Sequence, residues 1–234
     1  MHHDDSVSVP QMVREAHGRP LKSSFRPDIE GLRAVAVLAV VLFHASVPGV
    51  PGGYVGVDVF FVISGFLITG LLWREVSSIG TVRMSHFYGA RARRLLPAAA
   101  TVGVVTSIAS ALLLPSLEAK AVIGDGIASA LYVGNYRFVL RGIDYLAAYT
   151  LPSPFEHYWS LGVEEQFYLV WPALLLGVTW LVRRRRKRKV GDDSTQSARP
   201  YVAVLALVGV LSFMLSLALS HIAASVAFFS LPTR

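Results

Sequence analysis

Arg33 and His44 stand eleven residues apart, with only the apolar run AVAVLAVVLF between them. On a helix, eleven residues at about 100° each bring both side chains to one face, about 16 Å apart along the axis. An imidazole held there can take a proton from a hydroxyl group if a carboxylate fixes its tautomer and stabilises its protonated form. Three carboxylates are candidates. Asp58 follows His44 across a turn rich in Pro and Gly, and Glu164 with Glu165 opens a later apolar block. The spacing predicts His44, Asp58 and the glutamates at one depth. Glu164 and Glu165 are 100° apart on a helix, so one of the two reads as structural. A plainer reading stays open, in which His44 bonds a backbone carbonyl and the carboxylates pair with Arg or Lys to hold helices together. No HxxxH or ExxH spacing surrounds His44, so metal ligation has no supporting pattern.

A second cluster lies in Phe87 to Pro97, FYGARARRLLP. Arg91 and Arg94 are three apart and share a helix face, where guanidinium forks suit the phosphates of a nucleotide-like donor such as a coenzyme A thioester. The same arginines would also serve as topological anchors. Spacing alone leaves both readings standing.

These groups need elements to hold them, and the composition says which. Of the 234 residues 53% are hydrophobic and 16% charged, and the apolar residues form long blocks, which excludes an ordinary soluble domain. The net charge of +7 does not point to nucleic acid, because the basic residues flank the apolar blocks. Five segments have the length of a bilayer-crossing helix: 29–48, 54–73, 95–114, 158–182 and 200–220. A sixth, 119–140, carries Asp125, Asn135, Arg137 and three glycines. If it does not cross, seventeen basic residues fall on one side against Lys120, Arg137 and Arg141 on the other. If it crosses, the run RRRRKRK lands outside, against the positive-inside tendency. The expected fold is therefore an all-α polytopic bundle of about five spans, with 119–140 re-entrant or interfacial. Residues 1–26 read as a disordered cytoplasmic tail without a cleavable signal, and 27–234 as the membrane domain. The basic run reads as an anchor that also attracts anionic membrane lipid. There is no cysteine, so no disulfide framework or thiolate site enters.

Four blocks, in order, resemble the acyltransferase 3 family of bacterial membrane O-acyltransferases. They are FRPDIEGLR leading from Phe25 to Arg33 and on to His44; Gly52 to Ile68, GGYVGVDVFFVISGFLI; the arginine block ending at Pro97; and His157 to Tyr168, HYWSLGVEEQFY. The resemblance covers roughly residues 25 to 175. It implies that His44 is catalytic, that Arg33 supports it or contacts the donor, and that Arg91 and Arg94 serve donor use. Glu164 or Glu165 would fill the family's acidic signature. It further implies a multi-pass protein of the bacterial inner membrane with a cytoplasmic N-terminus and no bound cofactor. Its donor would be an acyl-CoA, commonly acetyl-CoA, and its acceptor an extracytoplasmic glycan or glycolipid. Family members usually have about ten spans, so a chain ending at Arg234 is expected to hold only part of that bundle. A lipid or glycolipid transporter, with the buried charges as a proton relay, and an inactive fragment are the competing readings.

Overall fold

The computed structural model describes residues 26–142, 152–186 and 198–233. The expected tail of residues 1–26 lies outside these, except for Arg26, as does the end of the basic run from Lys187 to Lys189. Among the described residues there are helices and turns and no strand. The helices are α1 (Pro27–His44), α2 (Gly56–Ile79), α3 (Met84–Leu113), α4 (Ser116–Ala130), α5 (Gly134–Leu140), α6 (Tyr158–Arg186), α7 (Arg199–Ile222) and α8 (Ala224–Phe229).

By length and composition four helical stretches can cross a membrane: Gly53–Ile79, Met84–Leu113, Tyr158–Arg185 and Arg199–Ile222. The sequence reading counts a fifth, 29–48, and α1 accounts for the difference. Pro27 and the acidic Asp28 and Glu30 open this helix, as suits its positive end. The chain leaves it after His44, four residues earlier than the expected span ends. α1 has 18 residues, and Asp28, Glu30 and Arg33 near its start set it apart from the four stretches above.

α1 packs along α2. The turn between them uses Gly49 at φ 90°, a conformation that favours glycine. Beyond it, Gly53 packs on the Ala39 carbonyl and Gly56 on the Ala36 carbonyl, so closely that a Cβ at either position would overlap that oxygen. Small residues of this kind let membrane helices approach backbone to backbone.

α6 is the centre of the bundle. Phe61 packs on Trp159, Ser64 bonds Glu164, and Trp171 donates to Thr69, so α2 and α6 run parallel. α3 runs the other way, with Tyr88 donating to the Tyr168 carbonyl and Arg91 to Glu165. One apolar cluster joins α2, α6 and α7 through Leu72, Val76, Trp171, Leu175 and Tyr201. A second joins α5, α6 and α8 through Phe138, Phe155, Trp159, Val163 and Phe229.

The ambiguous segment 119–140 is two short helices rather than one long one. α4 descends beside α3 from the end of the bundle where α1 stops, the chain turns at Leu131–Val133 with Tyr132 at φ 56°, and α5 returns. The tip of this hairpin is satisfied by side chains: Gln166 donates to the Tyr132 carbonyl at 2.8 Å and to Asn135, whose own amide donates to the Phe229 carbonyl at 3.0 Å. Irregular backbone at membrane depth is tolerated where protein satisfies it in this way.

Candidate active site

The parallel register of α2 and α6 decides where the acidic residues point. Glu164 faces α2 and Glu165 faces α3, so both are directed into the bundle. Ser64 donates to one oxygen of Glu164 at 2.5 Å, and Tyr168, one turn further along α6, donates to the same oxygen. Two hydroxyl donors on one carboxylate oxygen fix the side chain against α2. Glu165 accepts from Arg91 Nε at 3.1 Å, and the Arg91 guanidinium lies over the Tyr168 ring. A polar layer thus crosses the bundle from Ser64 through Glu164, Tyr168 and Arg91 to Glu165.

A cleft of about 230 Å³ opens onto this layer between α1, α2 and α6. Val37, Val40 and Val41 form one wall, Val57, Phe60 and Phe61 the second, and Ser160 and Glu164 the third. On α1 the positions 37, 41 and 44 form one stripe at i, i+4 and i+7, so His44 stands one turn beyond the cleft wall. His44 is exposed, and its Nδ1 lies 2.8 Å from the Val40 carbonyl. A carbonyl can only accept, so Nδ1 is the donor in that contact.

Two further titratable groups lie within electrostatic range of His44. Glu156 and His157, just before α6, feel its field. Burial pushes the Glu156 carboxyl above its ordinary range, and His44 partly opposes this. Burial holds the His157 imidazole below its ordinary range, and His44 adds to the effect.

The spacing predicts a single depth for His44, Asp58 and the glutamates, and the structure separates them. Asp58 is half-buried in the first turn of α2, where the helix end favours its charge. It lies two residues below Gly56, itself packed on Ala36 and Val40, which puts it on the order of 10 Å from His44 along the axis. Glu164 lies deeper, level with Ser64. Arg33 pairs with Glu30 at 3.2 Å near the far end of α1. Arg91 and Arg94 do not present one open face: Arg91 is buried, while Arg94 is exposed and within electrostatic range of Glu165.

Sequence reasoning passed over Ser64 and Tyr168. Tyr168 was reachable, being four residues after Glu164 and so on the same helix face. Ser64 had no local signal, because its partner is a hundred residues away.

Long apolar helices with ionisable side chains paired across their boundaries define a polytopic membrane protein with an internal polar site. The chain belongs to the acyltransferase 3 family, whose model, described as an acyltransferase domain, matches residues 26–231. It is 44% identical over 150 residues to the peptidoglycan O-acetyltransferase of Listeria monocytogenes, covering 64% of this chain and 24% of that one. A putative O-acetyltransferase of Staphylococcus aureus is 39% identical over 170 residues, covering 73% and 28%. A putative peptidoglycan O-acetyltransferase of Bacillus subtilis is 36% identical over 161 residues, covering 69% and 25%. The chain therefore spans about a quarter of the length of these relatives. No solved structure matches it.

Proposed function

We propose that this protein is a membrane O-acyltransferase that takes an acetyl group from an acyl-CoA on the cytoplasmic side and delivers it to a hydroxyl of an extracytoplasmic glycan. The observation that carries this reading is the cleft, with Glu164 held by Ser64 and Tyr168 on one wall and the His44 stripe on another. In the reaction His44 Nε2 takes the proton of the acceptor hydroxyl as its oxygen attacks the thioester carbonyl. The C–S bond then breaks, and the proton passes from the imidazolium to the departing thiolate. Glu164 stabilises the positive charge that develops near the cleft. Arg94, exposed, is the donor-phosphate contact, and Arg91 orders the layer from within.

The acetyl group and peptidoglycan as acceptor are supported by the names of the relatives. The orientation is supported by the seventeen basic residues that share one side when α1 crosses and α4 and α5 do not, which favours a cytoplasmic N-terminus, and the bacterial relatives favour the cell membrane.

Mass spectrometry of envelope carbohydrate from cells producing the protein, or its His44→Ala variant, tests this. A defined acyl mass increment that disappears with His44→Ala supports the reading. Equal acylation in both cells sinks it.

A further inference from the structure

We propose that Arg137 and Arg141 form a second site, which binds an oxyanion beside His44. The oxyanion is a carboxylate or phosphate, carried by a glycan or by a lipid headgroup. Asp125 on α4 is fully buried and accepts from both arginines: from Arg137 Nε at 2.6 Å and from Arg141 Nη1 at 2.6 and 2.8 Å. Each guanidinium has five N–H donors in a fixed fork, and Asp125 uses only one edge of each. The side chains remain 37% and 40% exposed.

Neutralising one buried carboxylate needs a single cation. A second arginine, at the C-cap of α5, leaves a surplus positive charge, which is costly in a membrane protein unless water or an anion meets it. The pair is also held in place from below. Gly124 lies under the Arg137 guanidinium, and a Cβ there would come within 2.5 Å of its Nη2. Two forks fixed by one carboxylate are an oxyanion receptor whose geometry exists before the ligand arrives.

Its location gives the site a use. The hairpin of α4 and α5 opens at the same end of the bundle as His44, and Glu156 is within electrostatic range of both His44 and Asp125. If the proposed acyl transfer holds, which this assignment of a use rests on, an acidic acceptor bound by the two arginines would present its hydroxyl to His44.

Phenylglyoxal modification of the purified protein in neutral detergent, mapped by peptide mass spectrometry, tests the site without any acyl transfer. The probes are an oligosaccharide of uronic acid, a neutral chito-oligosaccharide, and vesicles of phosphatidylglycerol or phosphatidylcholine. At about twice its Kd an anionic probe should slow modification of Arg137 and Arg141 roughly threefold, as the free fraction falls with 1/(1 + [L]/Kd). The exposed Arg74 should react at an unchanged rate. Protection by the uronic oligosaccharide assigns the site to a glycan, and protection by phosphatidylglycerol alone assigns it to a headgroup. Equal protection by neutral and anionic probes, or none, overturns the proposal. Arg141→Gln keeps the Asp125–Arg137 pair and should abolish protection at Arg137; persistence there would overturn the two-arginine site. Protection in a protein that transfers no acyl group would instead sink the function proposed above and leave the site standing.

Discussion

The Arg91 guanidinium meets the Glu165 carboxylate at 3.1 Å across the boundary of α3 and α6, with 9% and 15% of the two side chains exposed. The sequence assigns these residues to two clusters, one for the donor and one for catalysis. Their pairing makes a single polar layer of them, and it separates the roles of Arg91 and Arg94.

Removing one partner of a buried pair leaves an unpaired charge. Arg91→Ala should cost about 3–5 kcal/mol and lower Tm in detergent by roughly 10 °C. Replacing both residues together, Arg91→Met with Glu165→Leu, should recover most of that loss. Arg94→Ala should leave Tm unchanged and raise the KM for the acyl donor. A Tm that does not move with Arg91→Ala would show the pair to be solvated.

Ser64→Ala and Tyr168→Phe each remove one hydrogen bond to the charged Glu164, a loss of about 1.5–3 kcal/mol. Acylation should fall with each, and Ser64→Thr should restore part of it. Acylation unchanged in both variants would mean that the hydroxyls do not support Glu164.

The pH dependence of stability has two opposed sources near His44. Glu156 has a folded pKa raised above 4.5, so its contribution is complete below pH 4.5 and is lost as pH rises through the folded value. His157 has a folded pKa depressed below 6.5, so its contribution is present above pH 6.5 and is lost as pH falls through the folded value. Thermal unfolding in detergent across this range should therefore respond in opposite directions. Glu156→Gln should remove the decline that begins above pH 4.5, and His157→Gln should flatten the loss below pH 6.5.

Gly53 and Gly56 have no room for a side chain beside the carbonyls of Ala39 and Ala36. Gly56→Ala should separate α1 from α2 at a cost of about 1–3 kcal/mol and reduce acylation by displacing the cleft wall. Gly65→Ala, with open space around it, is the control and should behave as the native protein.

Much of the helical layout was legible because bilayer-length apolar runs and basic flanks are properties of contiguous sequence. The α1–α2 hairpin and the failure of 119–140 to form one long helix both follow from local features, the Pro and Gly of the turn and the charges of Asp125 and Arg137. The depths of the acidic residues were not legible. They depend on the register between α2 and α6, which is set by contacts such as Ser64 with Glu164 and Thr69 with Trp171, a hundred residues apart. α1 differs from the four longer spans in carrying Asp28, Glu30 and Arg33 in one end of an 18-residue helix.

The tip between α4 and α5 also has a consequence for the order of synthesis. The Tyr132 carbonyl is bonded by Gln166, and Asn135 is bonded to Phe229, so the partners of this tip leave the ribosome later than the tip itself. α4 and α5 cannot settle at their final depth while they are being made. The contacts that fix their tip become available only with α6 and then α8. Assembly of this bundle therefore runs out of chain order, with its middle segment among the last parts to take its place.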